Sequence, residues 1–229
     1  MCVCVDWFYA SFGYRSVCVF RDERHVALKI LSAHATGEID AGRLRELTIL
    51  RTITAMDDSH PGHAHVVHLL HEFTFDSFYG KHICFVTDVL SLSVTNMVKL
   101  LGDDPRLPLR IVLLIVKQAL KALEYLHDSC GVVHAGTSKQ CVPATYYLTK
   151  CVCPLDLKPS NILIRPSNVD QMVMHELTEY PAPLYTNPKT TPPHEMPFDV
   201  VASAPMTYIP DFSQGNQLHW VIADFGHCT

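Results

Sequence analysis

The run Val26-Ala27-Leu28-Lys29-Ile30 alternates as a half-buried strand does, with Asp22-Glu23-Arg24 as the turn before it. Residues Ala41 to Met56 then place Leu44, Leu47, Leu50 or Arg51 and Thr54 at helical spacing, with Asp40 as the cap. Val66 to Phe75 and His82 to Val89 read as two further strands, separated by Asp76-Ser77-Phe78-Tyr79-Gly80. Leu92 to Leu101 reads as a short helix closed by Gly102-Asp103-Asp104-Pro105. Leu109 to Asp128 carries the strongest helical pattern and ends before Gly131. Two short apolar runs follow, Ile162-Leu163-Ile164 and Leu218 to Ala223, each predicting a strand. Between them, Pro181 to Pro210 is dense in proline, which excludes helix interior and predicts an extended, partly disordered insert. The order is strands with one helix, then a long helix, then short strands around a spacer.

Composition narrows this picture. At 229 residues with 48% hydrophobic and 18% charged residues, the chain has enough apolar material for a real core. A net charge of −5 argues against a direct nucleic-acid surface. The apolar stretch Ile111 to Leu126 is interrupted by Lys117, Gln118, Lys121 and Glu124 and is shorter than the ~20 residues a membrane span needs. It predicts a buried helix, not a membrane anchor. Nine cysteines without a framework spacing, and no signal-peptide pattern, predict reduced thiols in the cytosol or nucleus. His60, His63, His65, His68 and His71 invite a metal reading, but they straddle a Pro-Gly turn and a strand and cannot all face one point. Cys151 and Cys153 have no second pair to complete a metal site.

The chemistry concentrates in Asp156-Leu157-Lys158-Pro159-Ser160-Asn161 and in Asp224-Phe225-Gly226, which follows an apolar strand. An Asp, a Lys two positions on and an Asn five positions on form the catalytic-loop pattern of protein kinases, and Asp-Phe-Gly is their metal-binding signature. Upstream, Val-Ala-Leu-Lys ends at Lys29, and Glu46 lies on the next predicted helix. From Gly13 onward the sequence resembles eukaryotic protein kinases, and most specifically the SR-protein kinase family of the CMGC group. The resemblance is carried by Gly13-Tyr14, Arg21-Asp22, His60-Pro61-Gly62 with His65-Val66-Val67, Arg106-Leu107-Pro108-Leu109, and Leu123-Glu124-Tyr125-Leu126-His127. The long Pro-rich spacer between Asn161 and Asp224 is similar to that family too.

The resemblance implies an α+β, protein-kinase-like fold. Its small lobe, an antiparallel sheet plus one helix, would occupy 13–90 after an atypical N-terminus at 1–12. The first part of a helical large lobe would occupy 91–229, with an insertion at 136–155 and the spacer at 166–216. It also implies transfer of the ATP γ-phosphate, with Mg²⁺, to Ser or Thr of protein substrates such as serine/arginine-rich splicing factors, with no membrane partner. By the same resemblance Asp156 accepts the substrate hydroxyl proton and Lys158 sits against the transferring phosphate. Asn161 and Asp224 hold the metal. Gly13, Val19, Ala27, Lys29, Glu46, Asp88 and Val89 bind or position the nucleotide, Lys29 being held by Glu46.

Three departures shape the expectation of activity. Ser11 to Val17 offers only Gly13 where a phosphate-covering turn uses several glycines, and Arg15 stands where a second is expected. Val132-Val133-His134-Ala135 is separated from Asp156 by Gly136 to Leu155, and deleting that segment restores an unbroken loop. We read the segment as a translated intron of length divisible by three; its absence from the dominant transcript would support this, and its presence would remove it. The sequence ends at Thr229, before an activation segment. The chain as written is therefore expected to be poorly active or inactive. The alternative function is a catalytically inactive, pseudokinase-like binding module.

Overall fold

A computed structural model describes residues 2–3, 15–21, 24–102, 106–134, 151–153, 157–179, 184–185, 200–201 and 218–225. Its centre is a five-stranded antiparallel sheet ordered β1-β2-β3-β5-β4: β1 (Cys2–Val3), β2 (Arg15–Arg21), β3 (Arg24–Ile30), β4 (Leu69–Ser77) and β5 (Gly80–Thr87). The predicted strand at Val26–Ile30 extends back to Arg24, which pairs with Arg21 at the end of β2. The β4–β5 hairpin closes more tightly than the sequence suggests. Ser77 pairs with Gly80, whose positive φ of 113° is one that glycine adopts without steric cost.

The sheet carries two helices, α1 (Ala33–Asp40) and α2 (Glu46–Ala55), where one was expected. Asp40 is the last residue of α1 and not the cap of α2. The cap of α1 is Ser32, whose hydroxyl accepts a hydrogen bond from the Ala35 amide. Gly37 and the sparse apolar spacing of α1 hide it from a periodicity search. α2 starts later than predicted, after a turn in which Gly42 has φ 72°. Leu47, Ile49, Leu50 and Ile53 of α2 join Leu31, Ala35, Ile83 and Phe85 in the main core.

Past the sheet come α3 (Val94–Leu100), capped by Ser93, and α4 (Leu109–Glu124). α4 continues as a π-helical turn, Tyr125–Ser129, and stops before Gly131, whose φ is 65°. Tyr125 is fully buried and its hydroxyl donates to the Ile53 carbonyl at 2.8 Å, tying α4 to α2. Gly62 packs flat on this junction. A β-carbon there would lie 2.0 Å from the Lys121 carbonyl oxygen, so the close approach demands glycine although its φ is ordinary.

The helix is not buried all round. Ile111, Ile115, Gln118 and Ala122 face inward, while Leu113 and Leu120 are each 60% exposed. This corrects the expectation of a buried helix: one face is buried and the other exposed. No helix among the described residues is long and apolar enough to cross a membrane.

Strands β6 (Val132–His134) and β7 (Cys151–Cys153) pair in parallel. An antiparallel hairpin of β8 (Ile162–Arg165) and β11 (His219–Ile222) packs on α4. Between these strands lie α5 (Val169–Glu179), unforeseen in the spacer, and a small pair of β9 (Leu184–Tyr185) with β10 (Val200–Val201). α5 reaches the small sheet, where His25 Nδ1 and Asp170 Oδ1 are 2.5 Å apart. Trp220 on β11 is 1% exposed and anchors a second cluster with Val94, Met97, Ile111, Ile115, Ile164 and Leu218. Gln118 holds the same strand from α4, donating to the Leu218 carbonyl and accepting from the Trp220 amide.

Candidate active site

A cleft with about 820 Å³ of empty space, part of it open to solvent, lies between the sheet and the β8–β11 hairpin. β3 supplies Ala27 and Lys29, two residues apart and so on one face of the strand. α2 contributes Glu46 at its first position and Leu50 one turn later. Thr87, Asp88 and Leu90 come from the end of β5 and the segment crossing out of the sheet. Ser160 and Asn161 sit in the 3-10 turn Pro159–Asn161, and Ala223, Asp224 and Phe225 follow β11.

The charged groups converge. Lys29 Nζ donates to Glu46 Oε1 at 2.6 Å and lies 3.4 Å from Asp224 Oδ1. The Glu46 side chain is only 4% exposed, so its carboxylate is held in a largely dry position against the ammonium. Asp224 has φ 63°, the sole positive value outside glycine among the described residues. Asp tolerates the left-handed region better than most residues. The turn lets the Asp224 carboxylate meet Lys29 while Phe225, 1% exposed, enters the main core. Asn161 is 2% exposed, and its backbone carbonyl accepts from the Ala223 amide at 2.9 Å. That bond fixes the Asn161 and Asp224 ends of the hairpin side by side.

Of the residues singled out from sequence, the structure gathers Ala27, Lys29, Glu46, Asp88, Asn161 and Asp224 around one cleft. Val89 is buried next to it but does not line it; Thr87 and Leu90 do. Lys158 is half-buried beside the 3-10 turn, outside the lining set. Val19 is placed by its backbone on β2, paired with Val26. Gly13 and Asp156 lie outside the described residues. Sequence reasoning missed the apolar wall of Leu50, Val67, Phe85 and Leu163. Only Leu50 carried a usable signal, being one helical turn beyond Glu46.

Asn161 and Asp224 present an amide carbonyl and a carboxylate, hard oxygen donors that fit Mg²⁺. Among the described residues no group of three or more His, Cys, Asp or Glu is placed to hold a metal. His65 Nδ1 donates to the Trp220 carbonyl and His68 Nε2 to that of His63, whose ring stacks on His68 at 3.9 Å. Cys84 and Cys130 are buried free thiols, and burial pushes Cys84 up to about 11.

Burial lowers the pKa of both His65 and His68, and neighbouring His219, Lys121 and Arg165 add to it at His65. The sign follows directly. The unfolded chain takes up protons near 6.5, whereas the folded chain resists them until lower pH, so stability is complete above about 6.5 and falls as pH drops below it. Thermal unfolding scanned from pH 7.5 to 5.5 is expected to show a falling midpoint, with a shallower slope in His68→Gln. A flat profile in the native sequence would contradict this.

No protein-family model matches the chain. Curated proteins do. It is 33% identical over 143 residues to protein kinase dsk1 of Schizosaccharomyces pombe, covering 62% of this chain and 22% of that protein. It is 30% identical over 156 residues to serine/threonine-protein kinase spk-1 of Caenorhabditis elegans, 67% of this chain and 13% of that one. Human SRSF protein kinase 3 is 28% identical over 142 residues, with 62% and 21% covered. Over 62% to 67% of its length the chain is similar to these kinases. The fold agrees: a crystal structure of a kinase domain matches 99% of this chain and 50% of its own at a TM-score of 0.53 and 17% identity. Its sequence relatives are serine/threonine protein kinases, a family that works with ATP and Mg²⁺. The chain spans 13% to 22% of the length of these three curated relatives.

Proposed function

We propose that this chain binds Mg·ATP in the cleft and takes part in phosphoryl transfer to Ser or Thr of protein substrates, serine/arginine-rich splicing factors among them. The observation that carries the reading is the Lys29–Glu46–Asp224 constellation facing Asn161 across one cleft. Phosphoryl transfer depends on positioning and charge neutralisation more than on covalent help. Lys29 holds phosphate oxygens of the nucleotide, and Glu46 fixes the ammonium so that it need not reorganise. The adenine ring enters between Ala27 and Leu163, beside Thr87 and Asp88. Asn161 and Asp224 hold Mg²⁺, which when bound neutralises charge on the phosphates. Asp156 takes the proton of the attacking hydroxyl as its oxygen bonds to the γ-phosphorus and the bond to ADP breaks. Lys158 steadies the phosphoryl group in flight.

The chain is proposed to act in the cytosol or nucleus, with its boundaries at 13–90 and 91–229, the segment 136–155 as an insertion and 166–216 as the spacer. The experiment is thermal unfolding with ATP, with and without Mg²⁺. At a ligand concentration about a hundredfold above Kd, stabilisation of about 2.7 kcal/mol is expected. Asp224→Asn, which keeps a residue tolerant of the left-handed backbone, is expected to lose the Mg²⁺-dependent part. No shift at millimolar Mg·ATP would overturn the catalytic reading in favour of a non-catalytic binding module.

A further inference from the structure

We propose that Arg165 is a positioning residue, a clamp that holds the two walls of the cleft at the separation Mg·ATP requires. Arg165 ends β8, the strand that begins next to Asn161. Its Nη1 donates to the Ala64 carbonyl at 2.9 Å, and its Nη2 lies 3.7 Å from Asp88 Oδ2. One guanidinium thus touches the 3-10 turn His63–His65, ahead of β4, and the segment that leaves β5 along the cleft. A planar fork with donors on separate nitrogens can reach two acceptors set apart, whereas the single nitrogen of lysine must lie close to both at once. Arg165 Nε is buried with no hydrogen-bond partner among the described residues, so the group is set into the junction and does not wave in solvent.

The backbone around it shows what is being clamped. The Ser91 amide donates to the Ile164 carbonyl at 2.7 Å, and the Ile164 amide donates to Leu92 at 3.1 Å. On the other side of the hairpin, the Val67 amide donates to Ile222 at 3.0 Å. The β8–β11 hairpin is therefore zipped to the crossing segment on one edge and to the pre-β4 segment on the other. Its far end carries Asn161 and Asp224. Arg165 closes the triangle at the near end by joining those two flanking segments to each other through β8. A shift of the hairpin would move Asn161 and Asp224 relative to Lys29, and small misplacements of catalytic groups are costly. Asp88 itself lines the cleft, so loosening its side chain is felt where the nucleotide enters.

This inference rests on the nucleotide-binding reading for its consequence, but not for its geometry, and two measurements on the full chain separate them. Calorimetric titration with Mg·ATP is expected to give about fivefold weaker binding in Arg165→Met, the scale of a partly exposed ion pair and its bond. Asp88→Asn removes one of the two arms, so its effect and that of Arg165→Met should add only in part in the double variant, the two residues sharing the Arg165–Asp88 contact. Arg165→Lys should fall between. Amide exchange without ligand is expected to quicken about fivefold at Val67 and Ser91 in Arg165→Met, while Leu31, bonded within the small sheet to Ile83, stays unchanged. Unaltered exchange at both amides overturns the clamp. If the native chain binds no Mg·ATP, the nucleotide reading falls and exchange alone decides the clamp. Faster exchange with unaltered affinity would leave a structural brace and overturn the positioning role.

Discussion

Replacing Lys29 by Met is expected to abolish Mg·ATP-dependent stabilisation and to lower the folding stability of the free chain by about 2 kcal/mol. The two effects have different origins. On the proposed function, nucleotide binding is lost because the ammonium between Glu46 and Asp224 is the group placed to meet phosphate. Stability is lost because Glu46, 3% exposed, loses the cation that compensates its burial. Full burial of an orphaned charge costs about 3–5 kcal/mol; the 21% exposure of Lys29 and the other interactions of Glu46 reduce that. In a chain of this size ~2 kcal/mol moves the unfolding midpoint by about 4–8 °C. Adding Glu46→Leu to Lys29→Met should recover much of the midpoint and none of the nucleotide response, since the buried charge goes but the cation is not restored. Retention of the Mg·ATP shift in Lys29→Met would remove Lys29 from the nucleotide site.

Trp220→Ala is the substitution expected to cost most in stability, about 3–5 kcal/mol by equilibrium denaturation. Among the described residues Trp220 is the largest fully buried side chain, and it fills the space between β11, α3 and α4. Its indole N–H has no hydrogen-bond partner among the described residues, so the energy lies in packing and not in that N–H. Trp220→Phe should accordingly cost only about 1–2 kcal/mol, the buried area of the second ring. The hairpin it anchors delivers Asp224, so Trp220→Ala should also weaken Mg·ATP binding more than Trp220→Phe does. A loss below 1 kcal/mol for Trp220→Ala would show that α4 does not hold the hairpin.

The elements with sustained patterns were legible in the chain itself. Alternation around Val26–Ile30, helical spacing over Leu109–Glu124 and the apolar run before Asp224 each correspond to an element of that type. These are local signals, because the period of apolar residues reports which face an element buries. α1 was not legible: with Gly37 within it and few apolar residues, it is held by the Ser32 cap and the neighbouring sheet. α5 was hidden in the spacer for a related reason, its inward face being short and its neighbours polar or proline-rich.

The site divides in the same way. Residue identities at Lys29, Asp156, Lys158, Asn161 and Asp224 stand in a linear order that pointed to phosphoryl transfer. Sequence by itself determined which reactive groups are present and the family they resemble, because functional groups are properties of residues. Tertiary structure decided which groups meet: Lys29 with both Glu46 and Asp224, Thr87 and Leu90 in the cleft in place of Val89, and Arg165 spanning Ala64 and Asp88. These contacts join residues 17 to 195 positions apart in the chain, as between Lys29 and its two partners. No local period encodes such a distance. It follows from how the sheet, α4 and the hairpin bury their apolar faces against one another.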